Sequence, residues 1–158
     1  METQISLKVN GKTYDLQVDP KTPLLYILRN HLKLNGPKYG CGEDLCGSCM
    51  VLIDDLALTT CKMTVGSVVG KSITTLEGLV DENGELHPVQ QAFIKEQAAQ
   101  CGYCMNGMII SAVSMLRQNL IHDEDMVRAL LQRNLCRCGT HSRILKAIRS
   151  VAASMNTN

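Results

Sequence analysis

The chain has 158 residues and a formal net charge of +1. It carries no basic surplus that would favour nucleic acid, no long run of like charge, and no apolar run near the roughly 20 residues that direct membrane insertion needs. With one Phe, four Tyr and no Trp, the core must come from Leu, Ile, Val and Met, and two halves of such a chain would each be marginal without a staple.

In chain order, Met1-Glu2-Thr3-Gln4 lacks the basic and apolar regions of a signal peptide, so a cytoplasmic protein is expected, membrane-associated or exported only through a partner. Ile5, Leu7 and Val9 alternate with polar residues, as do Tyr14, Leu16 and Val18. Asn10-Gly11 between them predicts a hairpin with a type I′ turn. Thr22 reads as a helix N-cap and Pro23 as the first helical position. Leu24, Leu25, Ile27, Leu28 and Leu32 form a helical stripe as far as Leu34, and Asn35-Gly36-Pro37 stops it.

Cys41, Cys46 and Cys49 follow at C-x4-C-x2-C spacing, with Cys61 after eleven more residues. This is the plant-type ligand pattern for a [2Fe–2S] cluster. A glycine-rich loop can wrap three thiolates round such a group while a neighbouring strand delivers the fourth. Gly40, Gly42 and Gly47 suit positive φ and close approach, with loop amides aimed at the sulfurs. Zinc more often takes two C-x2-C pairs, and a disulfide framework suits neither the clustering nor the expected compartment.

Residues 50–53 read as a buried strand, Asp54-Asp55 as a turn, 57–63 as a return strand carrying Cys61, and 72–76 as a further strand. Gly, Asp, Glu and Asn over 77–88 read as a linker. Two domains are therefore expected, 1–77 and 78–158. The second reads as four helices, over 88–99 and 104–119, then from Asp123 as N-cap and from near Thr140, with a frayed tail at 154–158. Its cysteines form a C-x2-C pair, Cys101 and Cys104, and a C-x-C pair, Cys136 and Cys138, with 31 residues between the pairs. Both pairs fall at helix boundaries, where free amides favour thiolates. Zinc stays open for this second set, because C-x2-C is its commonest half-site. His31, His87, His122 and His141 read as surface or capping residues, and Lys38 and Arg137 flank the cysteines. No acid–base pair, nucleophile–histidine arrangement or phosphate loop is present, which fits an electron carrier. A zinc-stapled adaptor is the competing class.

The Cys41–Cys61 set, Gln100-Cys101-Gly102-Tyr103-Cys104 and Asn134-Leu135-Cys136-Arg137-Cys138-Gly139-Thr140 together resemble the small iron–sulfur subunits of the molybdenum hydroxylases, the xanthine oxidase family. Leu34 to Cys41, His87 to Ile94 and Cys101 to Met108 are similar to the nicotinate-hydroxylating branch. The resemblance implies an α+β chain: an N-terminal plant-type ferredoxin-like (β-grasp) domain, then an all-α four-helix-bundle [2Fe–2S] domain. It implies two [2Fe–2S] clusters on the eight cysteines. It also implies a large partner subunit holding molybdopterin cytosine dinucleotide and carrying cytochrome c domains, with Gln100 and Cys138 of this chain against the pterin. Electrons would pass from the molybdenum centre through both clusters to an acceptor such as cytochrome c during hydroxylation of nicotinate to 6-hydroxynicotinate. Another N-heterocycle or an aldehyde is the alternative substrate. The chain departs from the family's usual residues at Met105-Asn106, at Ser48 and Met50, at Asp54-Asp55, and at Asp44-Leu45, where a carboxylate beside an anionic cluster would lower its potential.

Overall fold

The computed structural model describes residues 1–155. β1 (Thr3–Val9) and β2 (Lys12–Val18) pair antiparallel from Thr3↔Val18 to Val9↔Lys12. Asn10 and Gly11 turn between them at φ 50° and 76°, the positive values a type I′ turn demands. Ile5, Leu7 and Val9 are buried, so the alternation sets one face of β1 to the core.

The next helix departs from expectation. α1 (Leu24–Tyr26) is a single short turn, and it widens into a π-helical turn over Ile27–His31. Thr22 does not cap it. Pro23 occupies the cap position in an extended conformation with ψ 133° and is bridged to Thr64. The bridge to the Thr64 segment holds Pro23 out of the helix. The π turn closes with Leu32 N–H donating to the Ile27 carbonyl at 3.1 Å. Leu24, Ile27 and Leu28 thereby face the main core, while Leu25 packs on Cys49 and Cys61.

β3 (Val51–Ile53), β4 (Leu56–Leu58) and β5 (Ser72–Thr74) complete a five-stranded mixed sheet in the order β2-β1-β5-β3-β4. β1 and β5 run parallel and the other neighbours antiparallel. The strand expected over 57–63 stops at Leu58, so Cys61 lies in the segment beyond it. The cause is local. The Thr60 hydroxyl donates to the Cys49 carbonyl at 2.7 Å, and Leu25 N–H donates to the Thr60 carbonyl at 3.2 Å. These bonds draw the chain off the sheet and onto the cysteine loop.

β3 shows how the halves meet. Val51 and Ile53 belong to the core shared with β1, α1 and β5, whereas Met50 and Leu52 belong to a second core with the helices. Alternation along one fully buried strand thus serves two cores at once. α2 (Pro88–Lys95), α3 (Met105–Arg117), α4 (Glu124–Leu130) and α5 (His141–Met155) surround the second core, with α3 laid on β3 and β4. Met108, Ile110, Ile144 and Ile148 are fully buried there. The linker expected over 77–88 is packed at its start. A 3₁₀ turn spans Leu76–Leu79, and Leu79 enters the helical core. Asp123 caps α4 as expected, accepting from Met126 N–H at 2.7 Å. At the C-terminus, Ser154 and Met155 continue α5 instead of fraying, and 156–158 lie outside the described residues.

His87 caps α2. Its Nδ1 accepts from Val89 N–H at 3.2 Å, and Gln90 Oε1 accepts from His87 N–H at 3.0 Å. Burial, with Arg117 second, lowers its pKa from the ordinary 6.5. The unfolded chain therefore takes up this proton first as pH falls. The cap's contribution is complete above the unfolded value of 6.5 and is lost as pH drops through the lower folded-state value. A cap is worth about 1 kcal/mol, or about 2–4 °C in melting temperature for a chain of this size. His87→Asn keeps an acceptor that does not titrate. It is expected to remove that part of the fall in melting temperature between about pH 7 and pH 5; a curve parallel to the parent's would show that the cap does not carry it.

Candidate metal centres

All eight cysteines stand as free thiols, and they gather in two sets of four. In the first, backbone amides converge on sulfur as the glycine-rich loop suggested. Glu43, Leu45 and Cys46 N–H groups donate to Cys41 Sγ at 3.3, 3.3 and 3.4 Å. Cys41 N–H donates to Cys46 Sγ, and Thr60 N–H to Cys49 Sγ, each at 3.3 Å. Burial raises the Cys41 thiol, but these three amides, with the Cys46 side chain, outweigh it and bring the group down to about 7. Cys61 moves the other way. Burial pushes it up to about 12, with the Asp44 carboxylate and Cys49 adding to the rise and the Asp44 amide opposing it.

Two glycines make the loop possible. Gly42 and Gly47 have φ of 70° and 73°. Gly40 has no positive φ, contrary to expectation; its lack of a side chain is needed because a Cβ there would sit 2.7 Å from Cys46 Sγ.

In the second set Cys101 precedes Cys104 in the α2–α3 turn, and Cys136 and Cys138 precede α5. Cys101 interacts with Cys138, and its thiol is lowered first by the Tyr103 amide. Cys104 is pushed up to about 12 by burial and then by Cys136. Burial raises Cys136 too, but the Thr140 hydroxyl, 3.5 Å away, and the Thr140 amide bring it down to about 7. Each set therefore presents two pairs of thiols: Cys41 with Cys46, Cys49 with Cys61, Cys101 with Cys138, Cys104 with Cys136. Among the described residues no three His, Cys, Asp or Glu side chains close on a single ion. Thiols in pairs, with N–H···S bonds on Cys41, Cys46 and Cys49, suit a two-iron cluster better than one tetrahedral ion.

The two sets lie side by side. Leu135 N–H donates to the Cys46 carbonyl at 3.0 Å. Arg133 reaches the Asp44 carbonyl at 3.2 Å, and the Tyr103 hydroxyl donates to the Tyr39 carbonyl. A cavity of 330 Å³ opens between them, lined by Cys41 and Cys46 on one side and Cys101 and Cys104 on the other. Behind it sits a polar group that the sequence did not single out as functional. Asn106, fully buried, donates from Nδ2 to the Ser48 and Met50 carbonyls at 3.0 and 2.8 Å, while Ser111 Oγ donates to Asn134 Oδ1 at 2.9 Å. The only sequence signal was Met105-Asn106 standing where relatives usually differ.

Gln100 is exposed beside Cys101. Lys38 turns away from the cysteines and donates to the Asn35 and Gly36 carbonyls at 3.3 and 3.1 Å. Arg137 lines the inter-set cavity. Of the four histidines, His31, His122 and His141 are exposed. No helix among the described residues is long and apolar enough to cross a membrane.

Comparison with known proteins finds two families of [2Fe-2S]-binding domains along the chain. Residues 7–86 match the family described as 2Fe-2S iron-sulfur cluster binding domain, and residues 75–149 the [2Fe-2S] binding domain family. The chain is 54% identical over 152 residues to a nicotinate dehydrogenase subunit of Pseudomonas putida, covering 96% of each. It is 39% identical over 170 residues to an aldehyde oxidoreductase iron-sulfur-binding subunit of Escherichia coli, covering 97% of this chain and 73% of that one. Among solved structures, quinoline 2-oxidoreductase from Pseudomonas putida 86 superposes with a TM-score of 0.87 at 37% identity, over 93% of this chain and 90% of that one.

Proposed function

We propose a role for the chain within the family to which it belongs, the small [2Fe–2S] subunits of the molybdenum hydroxylases (the xanthine oxidase family). It is the electron-transfer subunit, carrying electrons from a molybdopterin centre on a large partner subunit to an acceptor during hydroxylation of nicotinate to 6-hydroxynicotinate. Cys41, Cys46, Cys49 and Cys61 hold one cluster, and Cys101, Cys104, Cys136 and Cys138 the other. When bound, each cluster supplies a one-electron carrier.

The observation that carries the reading is the hydrogen bond from Leu135 N–H to the Cys46 carbonyl at 3.0 Å. It joins a residue of one cysteine set to the neighbour of Cys136 in the other, so a short bonded path links the sets. The loop amides on Cys41, Cys46 and Cys49 stabilise sulfur charge, and Leu25 keeps water from Cys49 and Cys61. Gln100 and Cys138 meet the partner's molybdopterin cytosine dinucleotide. Gln100 is already exposed for that contact. A groove of 340 Å³ beside it, lined by Leu86, Phe93, Ile94 and Met105, offers an apolar seat to the large subunit. In this reading the acceptor is the set of cytochrome c domains that the same partner carries. The unit boundary falls between 77 and 78, and the helices of the second unit form a four-helix bundle. The chain is made in the cytoplasm and reaches any other compartment with its partner.

A second reading keeps the role and changes the substrate to an aldehyde or another N-heterocycle, as the names of the aldehyde and quinoline relatives suggest. The complex, purified anaerobically through this chain, separates the two. Nicotinate is expected to bleach the iron–sulfur absorbance. Bleaching by dithionite but not by nicotinate would move the substrate elsewhere, and a colourless complex with its full metal content as zinc would end the electron-transfer reading.

A further inference from the structure

Asp44 stands in the first cysteine loop at φ 58°. This is left-handed backbone, which Asp and Asn tolerate better than other residues with a Cβ and which persists where the surroundings favour it. The surroundings do so here: Arg133, from the far half of the chain, donates to the Asp44 carbonyl at 3.2 Å. The side chain is half-buried, and its Oδ1 lies 3.2 Å from Cys61 Sγ. Besides the Arg133 guanidinium on the Asp44 carbonyl, the nearby cation is Lys62, whose ammonium is taken up by Glu43 at 3.2 Å. It feels Asp44 only as a weaker, more distant charge.

The contact between Asp44 and Cys61 is favourable only while the thiol keeps its proton to donate. A ligating Cys61 has none, and the carboxylate then faces a thiolate. Glycine or asparagine would suit this backbone and avoid the juxtaposition of charges. A carboxylate that incurs it is explained by its charge.

We propose that Asp44 sets the reduction potential of the cluster held by Cys41, Cys46, Cys49 and Cys61, its carboxylate beside Cys61 disfavouring uptake of the electron. This rests on the reading of Cys61 as a ligand. The amides that converge on Cys41 pull the potential up, because they stabilise added charge on sulfur. Asp44 pulls it down from the opposite pair of ligands. One loop thus carries both adjustments, and the position of the first cluster relative to the second depends on their balance.

The test is a redox titration of the intact complex followed by electron paramagnetic resonance, for the parent, Asp44→Asn, Asp44→Gly and Glu43→Gln. Asn and Gly both tolerate φ 58°, so folding is kept. At a fixed potential, Asp44→Asn and Asp44→Gly are each expected to raise the reduced-to-oxidised ratio of the first cluster about tenfold, a shift of about 59 mV for one electron. The second cluster is expected to stay in place, and Glu43→Gln, whose carboxylate is exposed and paired, to shift the first by less than a third as much. An Asp44→Asn complex with both cluster signals intact and the parent's potential would overturn the proposal, as would an equal shift of both clusters. A parent complex lacking two cluster signals would overturn the proposed function along with it, and the two failures are told apart by that spectrum alone.

Discussion

Serine in place of Cys138 is expected to strip the helical half of its iron and stop turnover. Cys138 sits half-buried in the turn before α5 and interacts with Cys101. In the proposed ligand set it completes one of the two thiol pairs. A serine hydroxyl keeps its proton far above the thiol range, so the site loses a charged soft ligand and iron is held much more weakly. The first set should survive. Its N–H···S bonds come from Cys41, Glu43, Leu45, Cys46 and Thr60, none of which depends on Cys138. The variant complex is therefore expected to hold about half the parent's iron, to keep the spectroscopic signal of one cluster, and to show no bleaching with substrate. Turnover should fall below detection, because the surviving cluster is cut off from the partner's molybdenum centre. Unchanged iron and turnover would remove Cys138 from the ligand set.

Gly107→Ala is expected to be strongly destabilising although it alters no cysteine. Gly107 lies in α3 where the helical half rests on the cysteine loop. A Cβ there would stand 2.3 Å from the Gly47 carbonyl oxygen and 2.8 Å from Asn134 Nδ2. The first obstacle is backbone of a loop already bound to Asn106 through Ser48 and Met50, so it cannot give way without breaking those bonds. Overpacking of this kind costs about 3 kcal/mol, or about 6–12 °C in melting temperature for a chain of this size. Gly70→Ala is the control. Its φ is 80° but its Cβ would meet nothing within 4 Å, so only backbone strain of about 1 kcal/mol is expected. Thermal unfolding of the complex measures both. A Gly107→Ala loss no larger than that of Gly70→Ala would mean that the two halves are less firmly pressed together than the distances imply.

Much of this was legible in the residues. The β1–β2 hairpin followed from alternation around Asn10-Gly11, and the α4 start from Asp123, because both depend on interactions between near neighbours in the chain. The convergence of amides on Cys41 could be anticipated from the loop's glycines for the same reason. Three of the departures share a cause of the opposite kind. Thr22 failed as a cap because Thr64, some forty residues away, bridges Pro23. The strand meant to carry Cys61 ended at Leu58 because Thr60 is bound by Cys49 and Leu25. The supposed linker was packed at Leu79 because the helical core offered it a seat.

By itself, the amino-acid sequence determined the chemistry: eight thiols at spacings that suit iron–sulfur binding, an N-terminal sheet and a helical second half. Spacing along a loop is a covalent constraint, and hydrophobic periodicity is set by local geometry, so neither needs the rest of the fold. Only the tertiary structure decided that β3 feeds two cores, that Asn106 clamps the cysteine loop, that Leu135 meets Cys46, and that Asp44 faces Cys61. Each of these is a contact between segments far apart in the chain, and no local preference of either segment specifies its partner.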